Sequence, residues 1–194
     1  MKRRVYLFAL ALALLLTACA QQEKKSGVPT LEEVAEMESL YGLTRDELLE
    51  KLHLGEEDLL EEENNWIVYP TERTIAGQPV TERAFFDMTT PEHMGAWFFI
   101  LLAVLENGQE DALLEVYDEA VDIYGEPNQV PTPSNREDLL DYLERLKAGK
   151  LGEEDAAFSV SWLVGEQTKL GLSFVATEEG VGINFSYRMQ PVVP

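Results

Sequence analysis

The chain has 194 residues, with 36 acidic and 15 basic side chains and a formal net charge of −21. Such an excess of carboxylates excludes binding driven by phosphate contacts, so neither nucleic acid nor an anionic lipid surface is an expected partner. A single cysteine excludes an internal disulfide and cysteine-based metal sites, and 45% apolar content is enough for a hydrophobic core.

Lys2, Arg3 and Arg4 precede the apolar run Val5–Leu16, which closes on Leu16-Thr17-Ala18-Cys19. This is a charged n-region and an h-region of secretory length, too short and wrongly flanked for a membrane-spanning helix. Leu16, Thr17 and Ala18 before Cys19 resemble the lipobox of bacterial lipoproteins. The resemblance implies that signal peptidase removes residues 1–18 and that Cys19 carries diacylglycerol. It places the protein on the extracytoplasmic side of the cell membrane, with the lipid bilayer as a partner through acylated Cys19. Ala20-Gln21 lacks a retention signal of the aspartate type, which permits outer-membrane sorting in a diderm host. Residues 19–29 then read as the lipidated cysteine and a polar, flexible tether to a domain at 30–190.

In chain order, Thr30-x-x-Glu33 and Thr44-x-x-Glu47 are capping boxes that open helices over Leu31–Leu40 and Arg45–Leu52. Gly42 and Gly55 are the expected stops. Trp66–Tyr69, Arg73–Ala76 and Val80–Met88 read as strands, separated by Pro70-Thr71 and by Gly77-Gln78-Pro79 as turns. The apolar run Trp97–Leu105 is not assigned by periodicity alone. Thr90-Pro91-Glu92 would cap a helix there, yet aromatic and branched residues favour a strand, expected to be covered on both faces. A stripe of Leu113, Leu114, Tyr117, Val121 and Tyr124 marks a helix over Glu110–Tyr124, ended by Gly125-Glu126-Pro127. Ser134-x-x-Glu137 reads as a third capping box, opening Arg136–Lys147. Three alternating runs follow: Phe158 to Val164, Leu170 to Phe174, and Val181 to Tyr187. They predict an antiparallel meander with one buried face.

The two halves echo each other. Thr44-Arg-Asp-Glu-Leu-Leu-Glu-Lys-Leu52 aligns with Asn135-Arg-Glu-Asp-Leu-Leu-Asp-Tyr-Leu143, and Leu40-Tyr41-Gly42 with Ile123-Tyr124-Gly125. Trp66-Ile-Val68 and Trp162-Leu-Val164 follow in the same order. The expected fold class is therefore α+β: two helix–helix–β-meander units, at 30–107 and 108–190, forming one antiparallel sheet with helices packed on one face. Gly42-Leu43-Thr44-Arg45-Asp46-Glu47-Leu48, Tyr124-Gly125-Glu126-Pro127 and the tryptophan of each meander carry a resemblance to the β-lactamase-inhibitor-protein-like fold. The small lipoproteins of the outer-membrane barrel assembly machinery are its single-unit relatives. The resemblance implies a non-enzymatic, protein-binding architecture and supplies no inhibitory residue set.

The catalytic inventory is thin. His53 sits near a helix end, where a cation suits the dipole, and Glu92-His93 lacks the second histidine of a zinc motif. No nucleophile elbow, phosphate loop or dinucleotide fingerprint is present, so no catalytic residue, metal or cofactor is assigned. Gly180-Val-Gly182 reads as a strand turn without a phosphate cradle. Glu56-Glu57-Asp58 with Glu61-Glu62-Glu63 offers oxygen ligands for calcium but lacks the EF-hand pattern, and reads as a solvated acidic surface.

Aromatic residues in the strands are the better lead, since a sheet covered by helices on one face leaves the other open. Trp66, Tyr69, Trp97, Trp162 and Tyr187 are the candidate partner-binding aromatics. The leading expectation is a lipid-anchored protein that binds an envelope protein without catalysis. It predicts an open sheet face with two or more exposed aromatics and no deep polar pocket. The alternatives are capture of a small ligand or cation in an enclosed polar pocket, and an envelope hydrolase built on buried carboxylates.

Overall fold

A computed structural model describes residues 27–87, 95–128, 134–152, 157–164, 168–178 and 180–189. The lipobox Leu16–Cys19, the tether up to residue 26, and Thr90-Pro91-Glu92 with His93 lie outside the described residues.

The described residues form an α+β fold, with four helices and one seven-stranded antiparallel sheet. Helices α1 (Leu31–Glu38) and α2 (Arg45–Leu52) come first, followed by a single 3-10 turn at Glu56–Asp58. Four strands follow: β1 (Glu61–Glu63), β2 (Trp66–Ile75), β3 (Gln78–Phe86) and β4 (Ala96–Glu106). Helices α3 (Ala112–Tyr124) and α4 (Arg136–Lys147) precede β5 (Ala157–Val164), β6 (Thr168–Ala176) and β7 (Gly180–Met189). The strand order is β1-β2-β3-β4-β7-β6-β5, so β4 and β7 meet at the centre of the sheet. No described helix is long and apolar enough to cross a membrane.

The helix starts follow local chemistry. Thr30 and Thr44 each accept from the backbone of the glutamate three residues on, and that glutamate accepts from the cap's own N–H. The third cap differs from expectation by one residue. Asn135, not Ser134, is the N-cap: its side-chain oxygen accepts from Glu137 N and Asp138 N, and the Asp138 carboxylate accepts from Asn135 N. Asparagine caps at least as well as serine, and here it sits where both orphan N–H groups are in reach. Helix α2 ends at His53, which adopts the left-handed conformation at φ 57°, before the expected stop at Gly55.

Three turn expectations are corrected. Pro70-Thr71 is no turn; it belongs to an irregularity inside a single strand, β2, where pairing with β3 shifts between Pro70 and Thr74. The turn expected at Gly77-Gln78-Pro79 falls at Ala76-Gly77, both at positive φ (50° and 77°), the two-residue geometry that matches strand twist, and Gln78 and Pro79 pair within β3. Gly180 and Gly182, expected in a turn, pair within β7 against β4 and β6. Strand β1 is all glutamate, and the period-2 pattern gives no sign of it.

The core occupies one side of the sheet. Phe99, Leu101, Ala103 and Leu105 of β4 lie opposite Tyr187, Phe185, Ile183 and Val181 of β7, all buried. Phe158, Val160, Trp162, Leu170, Leu172 and Phe174 continue that side through β5 and β6, giving the expected single buried face of the meander. The helices contribute Val34, Leu48, Leu113, Tyr117, Leu139 and Tyr142 to the same cluster. Tyr117 and Tyr142 flank Phe158, and Tyr124 lies against Trp162, whose indole N–H donates to Gly125 O. Trp66 does not follow Trp162: it points to the opposite side of the sheet, half-buried.

Candidate functional site

On that opposite side, the register aligns one residue from each of six strands. Trp66 pairs with Phe85, Phe85 with Phe98, Phe98 with Arg188, Arg188 with Lys169, and Lys169 with Leu163. Two-residue alternation makes each of these the outward partner of a core residue, so the row stands on the core's back. Trp97 joins it through a β-bulge: Phe85 pairs with Phe98 while Phe86 pairs with Ala96, leaving Trp97 as the extra residue. Its ring lies 5.5 Å from Phe98, and Phe85 and Phe98 lie 5.3 Å apart. The run Trp97–Leu105 is thus a strand, as favoured, but it is not covered on both faces. Phe98, Ile100 and Leu102 are half-buried, and Val104 is 43% exposed.

Two guanidinium groups lie over this surface. Arg188 sits 5.0 Å from the centre of Trp97, and Arg83 sits 4.3 Å from Trp66 while pairing with Glu61 at 3.5 Å. A guanidinium held on an indole face gains cation–π attraction and stays presented to solvent. Among the described residues no carboxylate pairs with Arg188 or Lys169.

The five aromatics singled out by sequence divide between the two faces. Trp66 and Trp97 belong to the outward cluster, together with Phe85 and Phe98. Tyr69, Trp162 and Tyr187 are buried in the core and offer no surface to a partner. Tyr187 shares the parity of Val181, Ile183 and Phe185, which is the signal for its burial. Arg83, Lys169 and Arg188 are the cations that sequence reasoning missed; only the cross-strand register brings them beside the tryptophans.

A second feature lies on the core side. A cavity of about 730 Å³ opens between α1, the end of α2 and the sheet, with Glu33, Met37, Lys51, Arg73, Glu82 and Tyr187 among its walls. Its walls are mixed, with Met37, Leu40 and Leu101 beside the charged side chains, and it is partly open to solvent. Arg73 and Glu33 form an ion pair with side chains only 8% and 17% exposed, and Arg73 also donates to Gly27 O. Burial pushes the Tyr69 and Tyr187 hydroxyls well above the usual phenol range, and the nearby Glu82 carboxylate pushes in the same direction. Both therefore stay protonated.

The acidic run serves as an internal counterion set. Arg45 donates to Glu56 and to Glu62, the latter at 2.7 Å from Nε, tying α2 to the 3-10 turn and β1. That bond holds the Glu56 carboxyl below its ordinary range. Among the described residues no group of three or more His, Cys, Asp or Glu is arranged to hold a metal. His53 is exposed at the end of α2, away from any such group. No protein-family model, curated protein or solved structure matches this chain with significance.

Proposed function

We propose that this is a lipid-anchored, extracytoplasmic binding protein without catalytic activity, tethered through Cys19 and engaging an envelope protein with its uncovered sheet face. The observation that carries the reading is the cluster of Trp66, Phe85, Trp97 and Phe98, half-buried on the face away from the core, with Arg83 and Arg188 laid over the two indoles. Aromatics and arginines of this kind are the residues that dominate binding energy at protein interfaces. The chain enters the domain at Gly27, whose N–H donates to Thr74 O near the far end of β2 from Trp66. That entry point lies roughly 25 Å along the strand from the cluster.

A duplicated origin belongs to the same proposal. Thr44 and Asn135, aligned in the internal repeat, are both N-caps; Gly42 and Gly125, likewise aligned, both take φ 79°. Each helix pair precedes a set of antiparallel strands, and the last strand of each set pairs with the other. These features support a layout like that of the β-lactamase-inhibitor-protein-like fold.

The test has two arms. Cys19→Ser should move the protein from the membrane to the soluble fraction, and persistence in the membrane would refute the anchor. Affinity capture from solubilised envelopes should retain a partner with the wild type and lose it with Trp66→Ala/Trp97→Ala at unchanged melting temperature. Equal retention by both would refute the binding face.

The cavity favours a second reading, capture of a small cationic ligand. Carboxylates outnumber cations along its walls, and its volume falls within the range of ligand pockets. Millimolar calcium or a small organic amine should then raise the melting temperature. No shift with either removes this reading.

A further inference from the structure

The proposed binding face carries a charge arrangement that specifies its occupant. Lys169 of β6 and Arg188 of β7 are direct cross-strand partners. Like charges in that position destabilise a sheet. Neither has a carboxylate partner among the described residues, although the chain holds 36 acidic side chains against 15 basic ones. Among the described residues, the acidic side chains that form ion pairs do so elsewhere, and these two cations stand side by side without one. In a chain this acidic, such a pair offers charge complementarity to an acidic occupant.

The remainder of the row is apolar. Running from Lys169 and Arg188 it continues through Phe98 and Phe85 to Trp66, with Trp97 beside it. Leu163, 37% exposed, closes the basic end. The row crosses six strands, or five interstrand steps of about 4.8 Å, hence roughly 24 Å. An extended chain at about 3.3 Å per residue covers that length with roughly seven residues. A polymer bearing charge alone would leave the aromatic half unused.

We infer that this row receives one extended segment of a partner protein, with carboxylates at one end over Lys169 and Arg188 and apolar side chains at the other over Phe98, Phe85 and Trp66. The inference rests on the proposed binding role of this face and names the chemistry of its occupant. The carboxylates displace no ion pair among the described residues at the basic end. Arg83, already paired with Glu61, stays a wall of the apolar end.

The probe is a blocked peptide with three glutamates followed by Leu-Phe-Leu, titrated into the full-length protein in detergent and followed by tryptophan emission. Trp97, in contact with Arg188, reports occupancy, whereas buried Trp162 does not. Saturable binding is expected, weakened about tenfold or more by Lys169→Glu/Arg188→Glu and by raising salt from 0.05 to about 0.5 M. Lys169→Gln/Arg188→Gln gives the same direction with a smaller loss and guards against misfolding of the charge-reversed variant. Equal affinity for the wild type and both variants would overturn the inference. So would equal affinity for the peptide with lysines in place of glutamates, or binding of inorganic polyphosphate but not of the peptide. A homodimer in sedimentation that Arg188→Glu dissociates would also overturn it, by assigning the row to a second copy. Envelope capture that depends on Trp97 while the acidic peptide fails to bind would leave the binding role standing and remove the acidic occupant.

Discussion

At the scale of single residues, the buried charges matter most. Arg73 is fixed between Glu33 and the carbonyl of Gly27, so it ties helix α1 and the incoming chain to β2. Removing one member of a buried pair leaves the other charged and desolvated, at a cost of about 3–5 kcal/mol. Arg73→Met should therefore lower unfolding stability in urea by that amount. Adding Glu33→Gln should recover part of the loss, because its amide oxygen still accepts from Thr30 N. A loss below about 1 kcal/mol for the single variant would show the pair to be solvated. Glu47 makes a pH-dependent contribution. Its carboxyl is held below the ordinary value of 4.5 by the backbone N–H of Thr44 and then by the Thr44 hydroxyl. A carboxyl with a lowered folded-state pKa stabilises above its unfolded value and loses that contribution as pH falls through the folded one. The stability difference between wild type and Glu47→Gln should be constant at neutral pH and close as the pH drops below about 4.5. A gap that widens in acid would contradict the capping role.

At the scale of elements, legibility tracks how local the deciding interaction is. Helix α2 and helix α4 span the residues the sequence indicates, because their ends are set by side chains within four positions. Even there, two overlapping signals compete at α4. Ser134-x-x-Glu137 matches the capping pattern, yet the internal alignment with Thr44 points to Asn135, which is the residue in place. Asn135→Ala should cost about 1 kcal/mol and Ser134→Ala close to nothing, measured by urea unfolding. The reverse order would mean that the cap lies one residue earlier. Strands β5 to β7 are legible because small or polar residues alternate with large apolar ones. In β4 both parities are apolar, so the pattern cannot say that Phe99 faces the core and Phe98 does not. That choice depends on pairing with β3 and β7, which is non-local. Strand β1 is invisible for a related reason: three glutamates have no strand propensity, and they pair because β2 offers an open edge and Arg45 and Arg83 neutralise the charge. Proline at position 70 reads as a turn, but a bulge accommodates it within one strand.

At the scale of the whole molecule, the sheet separates two environments. Its core side carries the packed residues and a cavity of mixed lining against α1; its other side carries the aromatic and cationic row, uncovered by any described helix. The candidate site was half legible. Trp66 and Trp97 stand out as aromatics in strands, but their association with Phe85, Phe98, Arg83, Lys169 and Arg188 exists only through register across six strands. A functional account built on this face stands or falls on its being open to solvent in the intact protein. Acrylamide quenching of tryptophan emission on the full-length protein tests that directly, since two of the three tryptophans lie on the face and Trp162 is buried. An open face gives strong quenching in the wild type and a nearly unquenched emission in Trp66→Phe/Trp97→Phe, where Trp162 alone remains. Equally weak quenching in both proteins would show the face to be covered and would rule out its binding role.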